Sequence, residues 1–459
     1  MNIPGTRVRS FVYALLCVVL LGGCATSIIT NDRLQQFDPD YGYRACNVEA
    51  DGANSDSLLV ILTFSGGGTR AAAFAYGVLE QLRETRITWE GQERSLLDEV
   101  DLISSVSGGS LPAAYYTLFG SRIFDEFPDK VLYENIQGSL IKRVLLPPDN
   151  LKMLSPLYTR TDVLADDFDD DIFEGKTYKD LLEAGRRPYL IINSTDISTG
   201  YRFEFTQDQF DQIYSDLGPY PVGHAVAASA CFPGAFPPMM LRNYERGHDY
   251  ILPDWAQRAL NKGDIDALAY RQASNLQRYG DQNRPYIHLS DGGIADNLGL
   301  LPVIFLLRRE VEGGLPEDSF YAKAKSILIV TVNSEVKRPS PWDMLQSPVG
   351  LFNTLFSAGS IPLSNFTAAQ VQYLRLLIEN RELQQRLNVA TGDTKAHNPD
   401  IHFVEVAFNR VTDQTRRDAL NKLPTSFKLE RDQVNCLRET AQHVLAEHPE
   451  FKNFVSTLK

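Results

Sequence analysis

Cysteine is scarce in this chain: Cys17, Cys24, Cys46, Cys231 and Cys436 are five among 459 residues, and they lie far apart. A disulfide framework is thereby excluded as the basis of the fold, since a chain of this length builds its own apolar core. Positive charge is also short. Lys and Arg number 45 against 58 Asp and Glu, a formal net charge of −13. That balance argues against a nucleic-acid partner and supplies no overall pull toward anionic lipid. Internal repeats and low-complexity tracts are absent. The apolar run near the start, Phe11 to Leu21, is too short to span a bilayer.

Two further absences remove specific chemistries. Ser65-Gly66-Gly67-Gly68-Thr69-Arg70 follows an apolar run and opens a helical one, as a phosphate loop does, but the Lys-Ser/Thr pair of a P-loop is missing. Asp166 to Asp171 is acid-rich, yet it lacks the turn Gly and the twelfth-position Glu of a calcium-binding EF-hand, so it reads as a solvated helix start. Neither a metal nor an organic cofactor is indicated.

What is present is organised around Val100 to Ser110. A buried strand, Val100 to Val106, stops at Ser107 and is followed by Gly108-Gly109 and an apolar helical run. Serine is a poor nucleophile in water, so a hydrolase presents it on a strained turn beside backbone N–H donors. The nucleophile elbow G-x-S-x-G does this with small residues two before and two after the serine. Here the five are Ser105-Val106-Ser107-Gly108-Gly109, with serine in place of the first glycine. Alone this is either an elbow or a plain strand-to-helix connection.

Two other stretches bear on the choice. Ser57 to Phe64 is a continuous apolar strand; the three glycines after it free backbone N–H groups to converge on an anion at the start of the helix Ala71 to Leu82. Pro285 to Ser290 is another short strand, ending in Asp291-Gly292-Gly293. An acid there is either a turn former or a carboxylate aimed at the same sheet edge as Ser107.

In this order the motifs resemble the patatin-like phospholipases, whose pattern is G-G-G-x-R/K, then an elbow serine, then Asp in D-G-G/A. The chain has Gly66-Gly67-Gly68-Thr69-Arg70, then Ser107, then Asp291-Gly292-Gly293. The block Ala225 to Pro238 is similar to the family's alanine-rich helix and following proline stretch. The resemblance spans roughly Leu58 to Val311. It implies a three-layer α/β/α patatin-like fold with a mostly parallel central sheet. It also implies a Ser-Asp dyad with Ser107 as nucleophile and Asp291 as base, an oxyanion hole at Gly66, Gly67 and Gly68, and Arg70 supporting that loop. The implied reaction is hydrolysis of lipid carboxylic esters, of phospholipase A or lysophospholipase type, through an acyl-serine. An ordinary Asp, with a pKa of about 3.9, is a weak base for a hydroxyl. Desolvation and oxyanion stabilisation must offset that deficit.

Two rival readings stand beside it. A true α/β-hydrolase places its His after the acid, and His397 and His402 lie downstream of Asp291. A non-enzymatic lipid-binding lipoprotein could keep the fold and lose turnover.

Along the chain, Arg7 and Arg9 precede the apolar run, and Leu21-Gly22-Gly23-Cys24 follows it. This is similar to a bacterial lipobox, in which the thiol is lipidated and the chain is cut before it. Ala25 then points to the outer membrane of the bacterial envelope. The expected organisation is a lipoprotein-type signal peptide (1–23), a tether and lead-in (24–56), a catalytic domain (57–335) and a C-terminal helical extension with one strand (336–459), packed on the same domain. A polar insertion at about 242–284, with helices between Trp255 and Leu276, is either surface elaboration or a lid. Strands are expected at Tyr189 to Ile197, Tyr201 to Thr206, Lys325 to Asn333 and Asp400 to Phe408. Helices are expected at Leu298 to Val311 (N-capped by Asp296-Asn297), Phe366 to Leu387 and Ser426 to Leu458. The expected partners are membrane lipid as substrate and the membrane as attachment site, with no nucleic acid; the sequence does not identify protein partners.

Overall fold

The computed structural model describes residues 31–50, 54–265, 267–311, 320–337, 346, 350–391 and 399–458. The lipobox with Cys24, and His397, lie outside the described residues. An eight-stranded sheet forms the centre. Its strands are β1 (Leu58–Phe64), β2 (Val100–Val106), β3 (Tyr189–Asp196), β4 (Tyr201–Glu204), β5 (Met239–Arg242), β6 (Tyr286–Asp291), β7 (Ser326–Asn333) and β8 (Asp400–Ala407). The main helices are α1 (Thr69–Glu84), α2 (Ser110–Phe119), α3 (Ile136–Leu145), α4 (Asp149–Lys152), α5 (Arg160–Asp167) and α6 (Val222–Ala230), followed by α7 (Asp254–Lys262), α8 (Leu268–Arg278), α9 (Leu301–Val311), α10 (Leu351–Thr391), α11 (Arg431–Glu447) and α12 (Pro449–Thr457).

Strands β8, β7, β1, β2 and β3 lie side by side in that order, all parallel. β1 and β7 are buried at every residue, which is why they read as unbroken apolar runs: a parallel strand is covered on both faces. The fold is the mixed α/β, mostly parallel one that the resemblance implies. The extension is woven into it, since β8 pairs with β7 along its whole length and α11 packs on α1.

The sheet changes character at β3. Its first residues pair parallel with β2, ending with Val106 opposite Asn193. Its last three pair antiparallel with β6, and Asp291 stands opposite Ser194. The hairpin strand β4 covers Asn193 to Asp196. A strand has two flanks, and β4 occupies one of them at both Asn193 and Ser194. Both β2 and β6 therefore use the other flank, running toward each other and meeting end to end. That meeting makes neighbours of the residue after Val106 and the last residue of β6.

Several elements differ from expectation. The acidic stretch 166–171 closes α5 and a following π-turn (Phe168–Ile172) rather than opening a helix; Asp167 is buried against Arg143, so part of the run is structural. The apolar helix expected from Leu298 begins at Leu301, after a separate turn at Gly293–Asp296. The Asp296 carboxylate still caps it, accepting from the Leu300 and Leu301 N–H groups. β5 carries too short an apolar run to be read beforehand, and α10 begins at Leu351, well before its expected start at Phe366, and ends at Thr391, slightly past Leu387. In the polar insertion, α7 and α8 pack on each other around Ala256, Ala273 and Leu276. Arg284 and Tyr279, which close the insertion, bind the buried Asp196 carboxylate at 2.9 and 3.1 Å and tie it to the end of β3.

Candidate active site

Ser107 sits where β2 ends, with φ at +51°. This is the left-handed region that non-glycine residues avoid, at a cost of order 1–3 kcal/mol, so the surroundings must hold it there. They do so through Ser229 at the end of α6. The Ser107 N–H donates to Ser229 Oγ at 2.8 Å, and that hydroxyl donates to the Asn193 carbonyl at 2.5 Å. Gly108 is required for a different reason: a Cβ there would lie 2.1 Å from the Gly68 carbonyl oxygen. Elbow and glycine loop are thus in backbone contact. Ser105, the residue that departs from the elbow pattern, is accommodated because its hydroxyl turns onto the Ile191 carbonyl of β3 at 3.3 Å.

Asp291 closes β6 and meets the serine directly. Ser107 Oγ donates to Asp291 Oδ2 at 2.9 Å, and the other carboxylate oxygen accepts the Gly293 N–H at 2.8 Å. The end of α6 clamps this corner too, through Asp291 N–H to the Cys231 carbonyl and Gly292 N–H to the Ser229 carbonyl, both at 3.1 Å. Ser107 and Asp291 are 6 % and 7 % exposed. Burial pushes the carboxyl up to about 6, against the opposing pull of the Gly293 and Ser107 hydrogen bonds. Such a group is still largely ionised at neutral pH and is a far better base than a solvated Asp.

No histidine is bonded to either residue among the described ones. His402 pairs in register with Leu328, which pairs with Val60, which pairs with Val100 at the far end of β2. It is therefore about six residues, roughly 20 Å, back along the sheet from Ser107, and three strands across. Its Nδ1 lies 2.6 Å from Glu450 Oε1 and its ring packs on Phe454, so it staples α12 to β8.

The three glycines are not equivalent. The Gly66 N–H is already donated to the Asn297 carbonyl at 3.0 Å, so the expectation of three donors fails at this position. Gly67 and Gly68, with φ at +143° and +60°, donate their N–H groups to no acceptor among the described residues. Arg70 holds the loop from behind. Its Nε donates to the Ser334 carbonyl at 2.9 Å, and Nη1 donates to the Leu423 carbonyl and Thr425 Oγ1 at 3.2 and 3.0 Å. Ser334 in turn donates its hydroxyl to the Gly66 carbonyl at 3.0 Å. Arg70 is 3 % exposed, so it acts as a buried tie rather than as a surface charge. Ser229 and Asn193 escaped sequence reading, and Asn297 was read only as part of a helix N-cap. Ser229 had a faint signal, as the one hydroxyl in an otherwise alanine-rich helix end.

No match was found among curated proteins. Among solved structures, human GIVD cytosolic phospholipase A2 is similar at 15% identity and a TM-score of 0.35, over 62% of this chain. The chain spans only 44% of that protein's length. VipD from Legionella pneumophila is similar at 11% identity and a TM-score of 0.31, over 96% of this chain and 73% of the other. A family model described as patatin-like phospholipase matches residues 62–304, over half of the chain, and takes in the glycine loop, the elbow and Asp291. The protein belongs to the patatin-like phospholipase family.

Proposed function

We propose that the protein is a serine acyl hydrolase of lipid carboxylic esters, of phospholipase A or lysophospholipase type, working through Ser107 and Asp291. The observation that carries this reading is the 2.9 Å hydrogen bond between Ser107 Oγ, on its strained turn, and the buried Asp291 carboxylate. As Oγ attacks the ester carbonyl carbon, its proton passes to Asp291 Oδ2. The carbonyl oxygen becomes an oxyanion facing the free N–H groups of Gly67 and Gly68. Collapse expels the alcohol, which takes the proton from Asp291 and leaves an acyl-Ser107. Water then attacks the acyl carbon, gives its proton to Asp291, and frees fatty acid and serine. The same carboxylate serves as base and acid in both halves, so no histidine is needed.

Family membership and geometry support this chemistry together. Attachment rests on sequence alone: in the proposed mature form Cys24 is lipidated and the enzyme is held on the bacterial outer membrane. The test of the nucleophile is a fluorophosphonate probe, which should label Ser107 once per chain. It is paired with a panel of phospholipid, lysophospholipid, acylglycerol and short-chain esters, run beside Ser107→Ala. Labelling elsewhere, or equal turnover by Ser107→Ala, refutes the assignment.

A further inference from the structure

The segment 136–157 carries its side chains the wrong way round for a surface exposed only to water. α3 buries Ile136 and Leu140, as an amphipathic helix should, yet its outer face holds Ile141 and Leu145 at 51% and 66% exposure. The chain beyond continues the ridge with Leu146, Leu151, Leu154 and Leu157 at 58%, 59%, 78% and 45%. Ile141 and Leu145 stand one helical turn apart on the outer face of α3, and the four leucines follow within the next twelve residues. The acid of the segment faces inward. Asp149 is 3 % exposed and bound to Arg143 at 2.7 Å, and Arg143 also reaches Asp167 at 3.1 Å. Six large exposed apolar side chains within seventeen residues mark an interaction surface.

Resting on the lipid-ester reading above, we propose that this ridge is the face by which the enzyme docks on an anionic phospholipid bilayer, seating the mouth of the active site against the headgroups. Charge favours that occupant. Between Glu134 and Asp162 the only acid is the buried Asp149, although the whole chain has a net charge of −13. Lys142 and Arg160 are exposed, and neither is in an ion pair among the described residues. Lys152 is also exposed, partly neutralised by Asp149 and Asp166 at 3.1 and 3.0 Å. A second copy meeting this face by two-fold symmetry would set these cations against themselves. A bilayer takes leucines below the headgroups and lysines at the phosphates. No helix among the described residues is long and apolar enough to cross a membrane, so the contact is interfacial.

The ridge is also fixed to the site. At the start of α3 the Gln137 N–H donates to the Phe427 carbonyl at 3.4 Å. The residue before it, Ser426, accepts the Thr69 N–H at 2.9 Å and lies against Gly68. Phe236 meets the Phe427 ring at 6.4 Å, and Thr161 Oγ1 donates to the Pro237 carbonyl at 2.5 Å. The loop carrying those residues leaves the helix end that clamps Asp291, and it exposes Phe232 at 45%. A bilayer bound to the ridge therefore touches a rim joined to both the oxyanion loop and the base.

The test uses the full chain with Ser107→Ala, so that vesicles are not consumed, and Leu154→Trp as a depth probe. Vesicles of phosphatidylethanolamine and phosphatidylglycerol are prepared with and without brominated acyl chains. Relative to the three native tryptophans, the new fluorophore should shift to shorter wavelength and be quenched by the brominated chains. Leu383→Trp, exposed on α10, should not be. The reading at residue 154 does not depend on how the chain is otherwise attached. Absence of quenching overturns the proposal, as does emission already shifted without vesicles in a protein that sediments as a dimer. A second arm, with Ser107 intact, uses Leu145→Ser, Leu146→Ser and Leu154→Ser together. Turnover of a soluble short-chain ester should stay within about twofold, while hydrolysis of vesicle phospholipid falls on the order of tenfold or more. Equal losses on both substrates would also overturn it. If the parent hydrolyses neither substrate, the functional reading fails, while the quenching result still decides the docking face.

Discussion

Replacing Asp291 with Asn separates what the carboxylate does for chemistry from what it costs the fold. The side chain keeps its shape: the amide oxygen can still accept the Gly293 N–H, and the amide nitrogen can face Ser107 Oγ. What disappears is a buried charge. Burial raises the carboxyl from its ordinary 3.8 to about 6, which corresponds to roughly 3 kcal/mol of penalty on the ionised form. The folded carboxyl keeps its proton up to about pH 6, whereas the unfolded one releases it near 3.8. The contribution of this group to stability is therefore complete below pH 4 and is lost as pH rises through 6. Asp291→Asn, which never ionises, should match the parent near pH 4 and exceed it at pH 8 by about 1–3 kcal/mol, a rise of a few degrees in Tm. Turnover should fall by about 10³ or more, close to the loss in Ser107→Ala, because the two residues act as one unit. Parent kcat/KM should rise with pH through about 6. Paired thermal melts at the two pH values, with ester turnover on the same samples, decide it. A variant less stable than the parent at pH 8, or a difference that does not change with pH, would refute the account of Asp291 as a desolvated base.

Gly68→Ala should be among the most damaging small changes. Its Cβ would come within 2.4 Å of the Ser426 carbonyl oxygen at a φ of +60°, so a loss of about 2–3 kcal/mol in urea denaturation and at least about 10² in kcat is expected. Ser229→Ala strands the Ser107 N–H and the Asn193 carbonyl. It should cost about 2–4 kcal/mol and lower kcat about 10- to 100-fold with KM little changed; unaltered kinetics would remove Ser229 from the elbow's support. Cys24→Ala should leave an unlipidated precursor by mass spectrometry. An unmodified mature protein cut elsewhere would reject the anchor.

The pieces of the candidate site were legible in the sequence because each is a local event: an apolar strand that stops at a small residue, a glycine run opening a helix, an acid before two glycines. The strands β1 and β7 could be read for the same reason, since burial on both faces leaves a mostly apolar run. How the pieces meet was not legible. That β2 and β6 share one flank of β3 depends on pairings between residues about a hundred positions apart, and no periodicity encodes them. The commitment of the Gly66 amide to Asn297, and the seat that Ser229 gives to Ser107, are likewise properties of packing. The acidic run 166–171 misled because composition alone does not distinguish the first turn of a helix from its last.

Arg70 ties the glycine loop to residues that arrive late in synthesis. Its partners lie 264 and 353 positions further along the chain, at Ser334 and Leu423, and the neighbouring Thr69 amide waits for Ser426. A nascent or truncated chain ending before residue 423 can contain both Ser107 and Asp291 and still lack the ties that shape the anion site. The shape of that loop is thus set by the C-terminal part of the chain, although the loop itself lies near residue 67.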